Sequence, residues 1–318
     1  MNAAPATLRA AEGEIRSVAY NAAQLVAAMP RLVLEARRIA ASVYHGVHGR
    51  RRAGPGENFW QYRRFVDGEP ASRVDWRRSA RDDLLFVRER EWEAAHTIWI
   101  WPDVSPSMLF NSSDKTAPKR DRALVLAFAL GDLLVRGGER VGIPGIMRPT
   151  ASRAVIERMA DIIVHQPGEP QSLPPLFHPG ARDEIVVLGD LWSPAAEVTG
   201  RISALAANGA GGHVVQIVDA AEETFPYSGR VEFEEPEGGG SITVGRAEAW
   251  AADYIERVAR HRATIRSEAA RGGWSFTVHR TERPASEILL ALHARMGASA
   301  DALPHRQPAA QVTEEAAL

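Results

Sequence analysis

The chain has 318 residues, 45% of them hydrophobic and 25% charged, with a formal net charge of -2 and no cysteine. That is enough chain for one large or two medium domains with a sizeable core. The near-neutral charge gives no global pull toward nucleic acid or an anionic membrane. The lack of thiols excludes disulfides, thiolate metal sites and cysteine nucleophiles.

The first twenty residues have no continuous apolar run and carry Glu12 and Glu14, unlike a secretory signal. The longest apolar stretch, 124–135, is broken by Gly131 and Asp132 and falls short of the roughly 20 apolar residues a membrane span needs. The expectation is a cytoplasmic protein without membrane insertion.

In chain order, residues 8–43 are rich in Ala, Leu and Arg at helical spacing, and Pro30 predicts a break into two helices. A Gly/Pro/Arg loop follows, and residues 59–92 mix aromatic residues with balanced charges, predicting short strands that end in one at 84–90. Then the pattern becomes regular. Apolar strands are predicted at 96–101, 140–146, 184–189, 213–218 and 274–279. Between and after them lie helices at 119–136 (amphipathic, ending at Gly137-Gly138), 152–163, 194–208, 246–270 and 285–296. A hairpin is expected with arms at 230–234 and 242–244 around the turn EPEGGG.

Alternating strands and helices predict an α/β fold, a mostly parallel sheet with helices on both faces. The implied organisation is N-terminal helices at 1–45, an Arg/Trp-rich short-strand segment at 46–93, and an α/β domain at 94–297 with a hairpin insertion near 228–245. The Ala/Pro/Gln-rich tail at 298–318 is expected to be disordered.

Ligands of such sheets collect at the carboxyl ends of the strands, and Asp103, Asp190 and Asp219 all follow strand ends. Asp103-Val104-Ser105-Pro106-Ser107 carries one carboxylate and two hydroxyls on alternate residues directly after an apolar strand. Such oxygens suit a hard cation that wants about six ligands. A D-x-S-x-S string arises by chance about 0.1 times in a chain of this length, so the pattern is informative. The plainer reading is a capping turn in which Asp103 and the serines bond local backbone.

This string after an apolar strand resembles the metal-ion-dependent adhesion site (MIDAS) of von Willebrand factor type A domains. Upstream, Gly56-Glu57-Asn58-Phe59, Tyr62-Arg63, Asp67-Gly68-Glu69, Arg73-Val74-Asp75-Trp76-Arg77 and Ser79-Ala80-Arg81 resemble the bacterial family of unknown function DUF58. The resemblance covers about 45–295. It implies a von Willebrand factor A-like, Rossmann-like fold and a non-enzymatic, metal-dependent protein-protein interaction module. Its expected ion is Mg²⁺ (or Mn²⁺ or Ca²⁺), and its expected partners are a MoxR-type AAA+ ATPase and a client protein in assembly or remodelling. Residue by residue it implies Asp103, Ser105, Ser107 and Asp190 as metal ligands. Thr150 or Ser172 would complete the set, although neither lies in the family's Gly-Gly-Thr context and Leu191 stands where a Gly usually follows the second acid.

The alternative is a Mg²⁺-dependent phosphohydrolase with Asp103 as nucleophile. Against it, Ser105 occupies the position where haloacid-dehalogenase-type phosphatases keep an Asp as general acid. None of the ten histidines shows H-x-x-x-H or H-E-x-x-H spacing, and no G-x-S-x-G elbow is present. Asp75-Trp76-Arg77 with Arg81 reads as a structural pairing network, Trp99 and Trp101 as sheet packing, and Asp219 to Glu223 as a capping segment pairing with nearby arginines.

Overall fold

A computed structural model describes residues 24–44, 61–66, 69–81, 84–89, 96–165, 171–236 and 240–302. The remaining residues, among them Gly56 to Phe59, Asp67, Gly68 and the tail beyond 302, lie outside the described residues, with whatever the sequence predicts for them.

The central sheet has six strands: β3 (Thr97–Pro102), β4 (Arg140–Ile143), β5 (Met147–Thr150), β6 (Glu184–Gly189), β7 (Gly211–Val218) and β10 (Ser275–Arg280). Their order across the sheet is β10-β7-β6-β3-β4-β5, and only β5 runs antiparallel. From β5 to β10 this is third, second, first, fourth, fifth, sixth in chain order, the doubly wound α/β arrangement. The expected fold class is what the chain adopts. The expected strand at 140–146 is two strands, because Pro144 and Gly145 (φ 79°) turn the chain back on itself after Ile143.

The sheet buries both faces, so its strands alternate between two cores. Ile98, Ile100, Val186, Leu188, Val215 and Ile217 face a cluster completed by α3 (Lys119–Arg136), α4 (Val155–His165) and α8 (Ala285–Ala302). Trp101, Ile185, Val187 and Val214 face the other cluster, closed by α5 (Ala195–Ala206) and α7 (Ala251–Arg271). Gly212 admits the Trp274 ring, since a Cβ there would meet it at 2.1 Å.

Three helices depart from expectation. Residues 24–44 form a single helix, α1, straight through Pro30. Pro30 forfeits one backbone bond, but Leu25, Met29, Leu32, Ala36, Ala40 and Val43 recur on one face and bury against the main core. Helix α3 is buried nearly all round rather than amphipathic, with sheet, α1, α4 and α8 about it. Helix α8 continues to Ala302, past the expected end at 296.

Upstream, β1 (Gln61–Arg64) pairs with β2 (Phe86–Glu89), and a one-turn helix α2 (Trp76–Ser79) lies between them. Asp75 caps α2 by accepting the Arg78 N–H at 3.0 Å, Ser79 Oγ accepts the Phe86 N–H at 2.9 Å, and Arg78 stacks 4.6 Å over Phe86. The D-W-R-x-S part of the motif is thus a structural clasp, with Trp76 61% exposed. Strands β8 (Val231–Glu235) and β9 (Gly240–Val244) form the expected hairpin, Val231 opposite Val244. Among the described residues no helix is long and apolar enough to cross a membrane.

Candidate functional site

The winding direction reverses between β3 and β6, so their carboxyl ends border the crevice that this topology leaves open. Asp103 follows β3, Asp190 follows β6 and Asp219 follows β7, placing all three acids along one edge. Asp103 and Ser105 are completely buried. The Asp103 N–H donates to the Leu188 carbonyl at 2.8 Å, Asp103 Oδ1 accepts the Ser105 N–H at 2.8 Å, and the Ser105 and Ser107 hydroxyls are 3.2 Å apart. The capping-turn geometry is therefore present in this loop. Gly189 leaves the space that Asp103 uses, since a Cβ on it would lie 2.9 Å from Asp103 Cβ and 3.0 Å from Oδ2.

Asp190 has a partner that sequence reading missed. Lys119, the first residue of α3, sends its Nζ to Asp190 Oδ2 at 2.8 Å and to Glu222 Oε1 at 2.5 Å. The Lys119 side chain is 1% exposed, as is that of Asp190. Burial opposes the ammonium charge, but Asp190 and Glu222 more than offset it and hold the pKa above the ordinary lysine range. Glu222 is pushed upward by its own burial, against the pull of Lys119 and with a small push from Asp190. The directions agree with the count of neighbours: the lysine sees two carboxylates, whereas Glu222 sees one ammonium and another acid.

Glu222 sits on α6 (Ala220–Thr224), where the expected capping role also holds. Its Oε2 accepts the Asp219 N–H at 2.8 Å while Asp219 accepts the Ala221 N–H at 2.9 Å, a capping box. Trp192 Nε1 donates to Glu222 Oε1 at 3.0 Å. Asp219 also pins the loop before α3, accepting Ser112 N–H at 3.0 Å and Oγ–H at 2.5 Å. Burial raises the Asp219 pKa, but these hydrogen bonds outweigh it and hold the carboxyl below its usual range. Glu223 pairs with Arg262 and Arg280, which are distant in sequence where nearby arginines are expected. Leu191 takes the left-handed conformation (φ 57°) expected of the family's glycine; it is buried, and its carbonyl meets His261 Nε2 at 2.7 Å.

Thr150 does not join the site. At the end of β5, it pairs with Val141 on β4, level with Ile98 at the start of β3, about 16 Å from Asp103 along the strand direction, and it accepts the Ser152 N–H. An antiparallel edge strand carries its end to the opposite rim of the sheet, which spacing alone does not reveal. Ser172 is near the site: its Oγ is 2.9 Å from Ser193 Oγ, and it lines the same cleft as Ser107, Lys119 and Asp190.

That cleft has a volume of about 730 Å³. Ser107, Lys119, Asp190 and Glu222 form its polar floor, and Phe110, Trp192, Phe225, Tyr227, Phe233 and Tyr254 its walls. Phe225 and Phe233 stack 5.7 Å apart, with Tyr254 4.8 Å from Phe225. Tyr254 donates to the Glu222 carbonyl at 2.9 Å, and burial together with Glu222 pushes its pKa to about 12.

The donor set does not fit a divalent ion as it stands. Lys119 holds Asp190 Oδ2, the Trp192 N–H lies 3.4 Å from Asp190 Oδ1, and Thr150 is at the other end of the sheet.

The family model described as "Protein of unknown function DUF58" matches residues 61–264, more than half the chain. The chain belongs to the DUF58 family. Uncharacterized proteins of Mycobacterium bovis and of two strains of Mycobacterium tuberculosis are each 31% identical over 119 residues, covering 37% of this chain and 37% of theirs. The chain thus matches little more than a third of the length of those relatives. Two solved structures share 17% identity with this DUF58 chain, cover 64% of it and are themselves covered completely. They are the conserved hypothetical protein BatB from Bacteroides thetaiotaomicron (TM-score 0.39) and an aerotolerance-related membrane protein from Bacteroides fragilis (TM-score 0.40).

Proposed function

We propose that this DUF58 chain is a non-enzymatic protein-interaction module that captures a partner segment in the cleft above the ends of β3 and β6. The observation that carries the reading is the cleft's composition. Aromatic walls stand over a polar floor whose charged groups are already bonded to one another, which suits apolar anchoring of a partner side chain better than bond-making chemistry. The family resemblance adds a MoxR-type AAA+ ATPase as the partner and assembly or remodelling of a client protein as the task.

The phosphohydrolase alternative has less support. Asp103 is fully buried with Oδ1 engaged by the Ser105 N–H, and Ser105 stands where a general acid would be needed.

Affinity purification from the source cell, comparing wild type with Phe233→Ser and Trp192→Ala, tests the proposal. Wild type retains an AAA+ ATPase and both variants lose it. Equal recovery by all three, or p-nitrophenyl phosphate turnover abolished by Asp103→Asn, overturns it.

A further inference from the structure

The adhesion-type site expected from the sequence draws its positive charge from a bound divalent ion. Here a positive charge is already present at the switch point, covalently attached. We propose that Lys119 is the resident cation of this site and takes over the charge-balancing role of the metal, so that partner capture in the cleft is metal-independent. The second half of the statement rests on the reading of the cleft as the binding face.

Three observations carry it. First, the ammonium is buried at the floor of the cleft and bonded to two carboxylates from different elements: Asp190 after β6 at 2.8 Å and Glu222 on α6 at 2.5 Å. Second, that cage is itself braced. Trp192 Nε1 and the Asp219 N–H hold Glu222, Gln216 Nε2 donates to the Asp190 carbonyl at 2.8 Å, and α3 roots the lysine in the core. Third, of the two sequence-expected completing ligands, Thr150 is absent from this end of the sheet and the Ser172 hydroxyl, which is near, lies 2.9 Å from that of Ser193.

A divalent ion bound through Asp190 would take a carboxylate from a buried ammonium or sit beside that ammonium, and either is electrostatically unfavourable. A tethered ammonium also never dissociates, so its occupancy does not follow free Mg²⁺. Two of its three N–H donors are already taken by Asp190 and Glu222. Partner recognition then falls to the cleft walls, Trp192, Phe233 and Tyr254.

The test titrates Mn²⁺ into the whole chain, following free Mn²⁺ by electron paramagnetic resonance and Tm by calorimetry with and without EDTA. Wild type is expected to show no saturable Mn²⁺ binding through the millimolar range and the same Tm with chelator. Saturable one-site binding that disappears in Asp103→Asn, or a Tm that falls on chelation, overturns the proposal. These arms use the native sequence, so they stand even where Lys119→Ala fails to fold. Titrating the captured ATPase with and without EDTA, its nucleotide site left empty in both arms, separates the two claims. Binding lost with chelator overturns metal-independence alone. Binding unaffected by both Phe233→Ser and Trp192→Ala overturns the cleft reading and leaves the Mn²⁺ result intact.

Discussion

Replacing Lys119 by methionine removes the ammonium while keeping most of the side chain's length and apolar volume. Two carboxylates are then left facing each other, Asp190 at 1% exposure and Glu222 at 13%. Removing one partner from a buried ion pair typically costs about 3–5 kcal/mol, because the remaining charge is desolvated without compensation. At about 2 °C per kcal/mol for a domain of this size, Tm is expected to fall by about 6–10 °C at pH 7. Differential scanning calorimetry measures it directly. Acidification narrows the gap, because Glu222, already pushed upward by burial, protonates and the repulsion disappears. Adding Glu222→Gln to Lys119→Met is expected to recover part of the loss for the same reason. A Lys119→Met Tm within about 2 °C of wild type, at a cost under about 1 kcal/mol, would refute the reasoning that this lysine is the site's counter-ion.

Gly189→Ala drives a Cβ to 2.9 Å from Asp103 Cβ, an overpacking expected to cost about 1–3 kcal/mol, visible as a lower urea midpoint. His279 is 4% exposed, and burial, with Arg122 and Arg283 adding to it, lowers its pKa from 6.5 to about 4. The unfolded chain therefore takes a proton at pH values where the folded chain refuses it. Stability is full above pH 6.5 and declines as pH falls toward 4, by up to about 3 kcal/mol, and urea unfolding of His279→Leu should show a flatter profile across that window. Pro30→Ala restores a backbone N–H inside α1 at an exposed position and is expected to raise stability by about 1–3 kcal/mol, measured by the same denaturation.

The parts of the fold that the sequence reveals are those set by local pattern. Ile98 and Ile100 against Trp99 and Trp101, or Val186 and Leu188 against Ile185 and Val187, are uninterrupted apolar runs because both faces of the sheet are covered. The strand-end acids Asp103, Asp190 and Asp219 were visible for the same reason. What eluded the sequence depends on distance along the chain. Lys119 reads as an ordinary first helical residue, and its partners lie 71 and 103 residues away. Asp219 to Glu223 reads as a capping segment, yet the sequence does not show that a Glu222 oxygen reaches α3. Pro30 predicts a break that the buried stripe of α1 overrides, and the antiparallel course of β5, which no local pattern marks, carries Thr150 away from the site.

The most direct test of the central claim is the affinity of the purified chain for a MoxR-type AAA+ ATPase, the partner proposed for it, measured by calorimetric titration for wild type and for Trp192→Ala. Trp192 forms one wall of the cleft and braces Glu222, so its loss is expected to weaken binding at least about tenfold, or about 1.4 kcal/mol. Equal affinity for the two proteins, with the variant folded, would contradict the assignment of the cleft as the partner-binding face.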